Sequence, residues 1–368
     1  MRLTLLGPIP PPINGQSLVM KQMVSELEPH FAVLRIVDTS EGKAVGRLRP
    51  FRKILQSAKA LSGVRGSEAV YIAVKAGHGM WLTTAAACLA RIAGARVFLH
   101  HHSYSYVRER KPRMVALTRA AGPLAHHIVL SQSMLTDLGN VMPEIHRGLI
   151  IGNAGLIDSN LLDLPLKSDG RGLVLGHLSN LTLDKGIAEV VDLAVALHQA
   201  GTEIRLVIAG PTADEESRLQ LSRASAALGE QFEYRGPLSG QKKRAFFGEI
   251  THFIFPSRYI HEAAPLVIYE AMAAGVICVA TRQGAIPEQL EGSPGVLTDS
   301  ADSFVEQALP ALASSQISAA ASHESRQAYL RALSESSEQL ARFVALLAGR
   351  EPDRNEDGSV GKLPLTED

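Results

Sequence analysis

Only two cysteines occur in the 368 residues, Cys88 and Cys278, and both sit in apolar runs. A disulfide framework or a zinc site would need more thiols, and so small a number suits a reducing compartment. Long apolar runs are missing as well. After Arg2 the run Leu3–Leu6 stops at Gly7-Pro8, too short for the core of a secretory signal. The most apolar stretch, Leu266–Ala280, is broken by Glu270 and Gly275 and falls short of the ~20 residues that span a bilayer. The expectation is a cytoplasmic protein, soluble or peripheral on the cytoplasmic membrane face. Apart from Phe51, the basic segments carry no interleaved aromatics on which bases could stack. With no nucleic-acid module visible either, no nucleic-acid partner is expected.

What is present suits two domains. Hydrophobic residues make up 46% of the chain and charged residues 20%, enough apolar material for large cores. Net charge is zero, with 37 Lys and Arg against 37 Asp and Glu, but the halves differ. Residues 1–155 carry 19 Lys and Arg against 8 Asp and Glu, and the remainder carries 18 against 29. The first half is therefore expected to meet something anionic. Two basic segments stand out, Arg47–Lys59 and the group Arg108, Arg110, Lys111 and Arg113. They suit an anionic membrane surface or a lipid-linked acceptor, or else a solvated helix face.

Short apolar runs alternate with longer amphipathic ones. Strand candidates are Leu3–Leu6, Phe31–Val37, Ala69–Ala73, Ala95–Leu99, His127–Leu130 and Leu149–Ile151 in the first half. In the second they are Gly172–Leu175, Ile204–Ala209, Phe232–Tyr234, Phe253–Phe255, Val276–Ala280 and Gly295–Leu297. Alternating strands and helices predict an α/β protein with two Rossmann-like, doubly wound domains facing across a cleft. The predicted divisions are a domain at 1–155, a linker at 156–171 rich in turn residues, and a domain at 172–323. C-terminal helices at 324–348, able to cross back, and a disordered polar tail at 349–368 complete the plan.

Four motifs carry chemistry. The first is His261-Glu262-Ala263-Ala264-Pro265 followed by Leu266–Gly275, after the strand Phe253–Phe255. Glu262 falls in the loop before a helix and Glu270 about one turn inside it. The helix start offers the free amides of Leu266 and Val267 to a phosphate, Pro265 having no N–H. Glu270 lies in apolar sequence, where sugar hydroxyls, a neighbouring Arg or backbone amides would satisfy its carboxylate. The second is Gly176–Gly186, in which Lys185 stands at a helix start, either as a diphosphate partner or as a solvated helix-end lysine. The third is the loop Gly7–Ser17, stiffened by prolines, with Gly15 open to close backbone approach. It is not the G-x-G-x-x-G of a dinucleotide site. The fourth is His100-His101-His102 at a strand end, where alternating side chains point apart and no Cys or acidic ligand stands near, against a metal site.

A Glu, seven residues, then Glu-Ala-Met-Ala-Ala-Gly, preceded by Pro-Ser and followed by Gly284-Ala285-Ile286-Pro287-Glu288, resembles the donor-site signature of retaining glycosyltransferases of family 4, with the GT-B fold. The resemblance implies a nucleoside-diphosphate sugar as co-substrate, transfer with retention to an acceptor hydroxyl, no metal and no cofactor. It implies ribose binding by Glu270, a place beside the donor sugar for Glu262 and His102 (His100 being the alternative), and diphosphate contacts from Lys185. Gly15 would face the donor in this scheme. Many members carry an Arg where this chain has His177, and Asn180 is the neutral donor that could replace it. Gly210, Gly236 and Pro237 end strands where the family's nucleotide lies, though turns need such residues anyway. Ser131 and Asn153 match more loosely and read better as structural. The acceptor implied is a glycan or lipid-linked glycan, in cell-surface polysaccharide or glycolipid synthesis. The alternatives are an epimerase-like enzyme of the same fold and a catalytically silent binding subunit.

Overall fold

The structure is a computed structural model that describes residues 1–11, 15–40, 62–170, 172–313 and 318–350. The basic segment Arg47–Lys59 and most of the predicted tail lie outside the described residues. The chain divides into two compact units, residues 1–156 with 335–368, and residues 157–334.

The first unit holds six parallel strands: β1 (Arg2–Gly7), β2 (Val33–Asp38), β3 (Ala69–Val74), β4 (Arg96–His101), β5 (His126–Val129) and β6 (Gly148–Ile150). Their order is β2-β1-β3-β4-β5-β6. The central β3 is buried at every position, as a strand covered on both faces must be, whereas the edge strand β2 is mostly exposed. Four helices of this unit are α1 (Gly15–Leu27), α2 (Met80–Ile92), α3 (Pro112–Ala121) and α4 (Gln132–Val141). Leu3, Leu5, Met20, Met23, Tyr71, Phe98 and Ile128 form its core.

The second unit repeats the plan with β7 (Leu173–Leu178), β8 (Ile204–Ala209), β9 (Phe232–Tyr234), β10 (His252–Phe255), β11 (Ile277–Thr281) and β12 (Val296–Thr298). Its helices are α5 (Ile187–Gln199), α6 (Glu215–Leu228), α7 (Gly240–Glu249), α8 (Leu266–Ala273), α9 (Ile286–Gln289) and α10 (Phe304–Ala313). The strand order is β12-β11-β10-β7-β8-β9. Counting from β7, this is the 3-2-1-4-5-6 arrangement of dinucleotide-binding sheets. The order reverses between β7 and β10, the point of such a sheet outside whose carboxyl ends ligands are received. In the first sheet the reversal falls between β1 and β3.

Of residues 156–171, expected to be a linker, 157–170 belong to the second unit. Leu161 and Leu164 are buried, and the fully buried Lys167 donates from Nζ to Phe247 O at 2.7 Å and Gly248 O at 2.9 Å. A turn-rich composition predicted the absence of regular structure, but these side chains cap the end of α7 and fill its underside. The last described helix, α11 (Ala319–Leu347), starts earlier than its periodic pattern suggested. Ser322, Ser325 and Arg326 donate to Gly275 O, Val276 O and Ala273 O in the second unit. Its residues from Glu335 onward belong to the first unit, where Leu340, Phe343 and Leu347 join the core and Arg96 donates to Leu346 O and Leu347 O.

Candidate donor site

The reversal between β7 and β10 is where the strongest motifs meet. Beyond β7, the Thr182 hydroxyl accepts from Lys185 N at 3.2 Å and caps the short turn Leu183–Lys185. Gly186 then adopts φ 85° and opens α5. A Cβ there would stand 2.4 Å from Pro256 O, so only glycine lets the post-β7 turn touch the post-β10 loop. That contact delivers Lys185 to Glu262. Lys185 Nζ lies 2.5 Å from Glu262 Oε2, and Ser257 Oγ donates to the same oxygen at 3.1 Å. The ammonium also sits 4.6 Å from the Tyr259 ring centroid, a cation–π contact.

The segment after β11 holds Glu262 from the other side. Gly284, at φ 58°, would bring a Cβ within 2.4 Å of Glu262 O, while Ala285 N donates to Ala263 O at 2.7 Å. The Gly-Ala-Ile-Pro-Glu run is thus a backbone splint for the loop carrying Glu262. Gln289 Nε2 adds a bond to Pro265 O at 3.3 Å. α8 begins directly after Pro265, with Ile268 N returning to Pro265 O, so Leu266 and Val267 have no carbonyl one turn back to bond. Their amides and the positive end of the helix are the groups of α8 able to receive an anion.

Glu270 is buried one turn into α8, and its partner is Lys243 of α7, with Nζ 2.5 Å from Oε1. Sequence reasoning missed Lys243. The only local signal is the cationic run Lys242-Lys243-Arg244, and nothing in it says which of the three turns inward.

His177, which stands at the position of the family Arg, is not an available cation. It is fully buried, with Nδ1 2.8 Å from Ile254 O and Nε2 2.8 Å from Ser179 Oγ. A carbonyl can only accept, so Nδ1 carries the proton and Nε2 accepts from the serine. Burial, above all, lowers its pKa to about 4, with the Lys185 charge adding to the effect. The ring is neutral and pins β7 to β10. Asn180 is exposed in the loop just beyond.

Gly210 and Gly236 bond one another, Gly210 N donating to Gly236 O at 2.8 Å, and Tyr234 Oη donates to Gly210 O at 2.8 Å. At φ 123°, Gly210 would place a Cβ 1.7 Å from Ser179 O. Backbone cannot step aside as a flexible side chain can, so this glycine is required by the fold. Gly210→Ala is expected to lower the thermal midpoint by about 5 °C or more, as a strain of several kcal/mol would in a domain of this size. Gly236→Ala meets nothing within 4 Å and carries only the strain of φ 63°. Scanning calorimetry giving equal midpoints for the two variants would refute the steric reading.

The other sequence candidates lie in the first unit. His100 is fully buried with Nδ1 2.5 Å from Tyr71 Oη, a core contact. His102 lies just past the end of β4, its ring 4.2 Å from that of His100, and its Nε2 is buried without a hydrogen-bond partner among the described residues. Burial lowers its pKa to about 3. His101 points the other way, to His127 Nδ1 at 3.0 Å. Gly15 opens α1 near the reversal of the first sheet, where Gln16 Nε2 donates to Val74 O at 3.1 Å. A Cβ at Gly15 would meet nothing within 4 Å, so the fold itself does not require glycine there. Ser131 caps α4 by accepting from Met134 N at 3.1 Å, and Asn153 is buried.

Residues 165–328 match the family model of glycosyl transferases group 1. That span takes in Lys185, Lys243, Glu262 and Glu270. No curated protein sequence matches the chain. Solved structures do. Sucrose-phosphate synthase from Thermosynechococcus elongatus superposes with a TM-score of 0.69 at 15% identity, covering 95% of this chain and 100% of that one. HepE of Anabaena in complex with UDP gives 0.67 at 16% identity, over 94% and 100% of the two chains. The lipopolysaccharide outer core galactosyltransferase WaaB gives 0.60 at 13%, over 91% and 99%. The fold is therefore shared with GT-B glycosyltransferases.

Proposed function

We propose that the chain is a retaining glycosyltransferase that moves a sugar from a nucleoside-diphosphate sugar to an acceptor hydroxyl, without a metal or other cofactor. The observation that carries this reading is the meeting of Lys185 and Glu262 at the reversal of the second sheet, beside the open amides at the start of α8. UDP in the similar HepE structure supports a nucleotide as the ligand of such a sheet. Lys185 and the amides of Leu266 and Val267 stabilise the negative charge that develops as the bond from the anomeric carbon to the diphosphate oxygen breaks. Glu270 orients the ribose hydroxyls, and Glu262 the donor sugar. The acceptor oxygen forms the new bond on the face the diphosphate leaves, and the acceptor proton passes to the departing phosphate oxygen. The acceptor is a glycan or lipid-linked glycan of cell-surface polysaccharide or glycolipid synthesis, met on the cytoplasmic side of a membrane.

The test screens UDP-, GDP- and ADP-sugars for thermal stabilisation, then follows release of nucleoside diphosphate with and without a membrane lipid extract as acceptor source. Release that depends on the extract is the expected result. Sugar isomerisation without release would replace the reading by an epimerase, and nucleotide binding without any turnover by a binding subunit.

A further inference from the structure

α2 is apolar on the side it buries and on the side it shows. Met80, Thr83, Ala86, Ala87 and Ala90 face the core. At 100° per residue the opposite side of the helix carries Trp81, Ala85, Cys88, Leu89 and Ile92. Trp81 is 52% exposed, Leu89 40% and Ile92 76%. A surface helix normally turns charged residues outward, and a helix apolar all round is normally enclosed. Here three turns of apolar side chain face water, the kind of patch that marks an interaction site.

The charge beside the stripe says what it meets. α3 runs alongside, with Arg113 Nη2 3.5 Å from His78 Nδ1 near one end of α2 and Arg91 Nη1 3.0 Å from Arg119 O near the other. Arg91 and Arg119 are exposed, and Leu124, just beyond α3, is 70% exposed. Between Glu68 and Asp137 the sequence holds eight Lys and Arg and one acidic residue, Glu109. Apolar anchors including a tryptophan, rimmed by arginines and nearly free of carboxylates, are complementary to a bilayer surface with anionic headgroups. Among the described residues no helix is long and apolar enough to cross a membrane, so the contact is one of surface docking.

We propose that the outward face of α2 docks on an anionic lipid surface, with Trp81, Leu89 and Ile92 entering the headgroup boundary and Arg91 and Arg119 meeting phosphates. This gives the membrane-side acceptor of the proposed function a physical address, but it is read without donor or acceptor, so either can fail alone. Trp81 is the only tryptophan in the chain, and its emission reports from the proposed contact itself.

The experiment sediments the full chain with phosphatidylcholine vesicles, with and without phosphatidylglycerol, and records tryptophan emission. The expected result is pelleting and a blue shift with phosphatidylglycerol, weakened by high salt. The pair Leu89→Glu and Ile92→Glu should reduce the bound fraction roughly tenfold or more. Arg119→Glu should weaken binding to the anionic vesicles. Both altered sites are on the surface, and circular dichroism checks that the fold is kept. No pelleting, or pelleting without a shift in Trp81 emission, would overturn the proposal. So would a concentration-dependent dimer abolished by Ile92→Glu, which would give the face to a second copy of the chain.

Discussion

Lys185→Met is expected to weaken binding of a nucleoside diphosphate by roughly thirtyfold to a thousandfold, the range for losing one partner of a buried charged contact. Methionine keeps the apolar stem over Tyr259 and removes only the ammonium. The same change strands Glu262, a buried carboxylate whose remaining partner here is the Ser257 hydroxyl, so stability falls with affinity. The two losses can be separated. In Lys185→Met with Glu262→Gln no unpaired charge is left, so stability returns while nucleotide affinity does not. Glu270→Ala is expected to cost about ten- to a hundredfold, the range for hydrogen bonds to a charged group. Lys243→Met frees Glu270 from its present partner and should alter nucleotide affinity through it, though nothing in the sequence marked Lys243. Calorimetry that finds unchanged affinity in folded Lys185→Met and Glu270→Ala removes the assignment of the donor site.

Acid is expected to unfold the first unit before the second. Burial, reinforced by neighbouring histidines, holds His100 and His101 well below the ordinary histidine range. Burial lowers His102 and His127 to about 3, and in the second unit it lowers His177 and His252 to about 4. The folded pKa values lie below the unfolded value of about 6.5, so the unfolded chain takes up protons first as pH falls. The stabilisation is complete above about pH 6.5 and declines as pH drops toward the folded values. At pH 5.5, below the unfolded value and above the folded ones, each such group has lost on the order of 1 kcal/mol. Four of them in the first unit together remove several kcal/mol, a large part of the stability of a domain. Two in the second remove about half that. Urea titrations at pH 7.5 and 5.5, followed by Trp81 emission, should show the midpoint of the first unit falling by on the order of 1 M. A midpoint that stays put or rises on acidification would contradict the linkage.

Central strands such as Ala69–Val74 and Ile277–Thr281 were legible because parallel strands covered on both faces are continuous apolar runs. Lys185, Glu262 and Glu270 could be singled out because their motifs follow strands and open helices, and the structure does bring Lys185 to Glu262. What the sequence concealed depends on contacts between distant residues. Lys243 meets Glu270 across 27 positions, and Lys167 reaches the end of α7 across 80. His177 stands where many members of the resembled family carry an Arg, and only its two bonds show that it is a neutral clasp. The outward stripe of α2 was hidden for another reason. A helix apolar on all sides gives the same composition whether it is enclosed or docked, and only exposure separates the two.

Glu262 occupies Lys185 as a tethered anion, and Lys243 and Glu270 form a second closed pair. The four side chains sum to no formal charge. If the proposed function holds, a diphosphate does not arrive at a bare cation; it exchanges with an anion already in place. On that reading, affinity is the difference between the two carboxylate pairs and the contacts that replace them. The carboxylates displaced in that exchange are the ones proposed to turn toward the sugar and the ribose, so loading the donor and arming its recognition are one event.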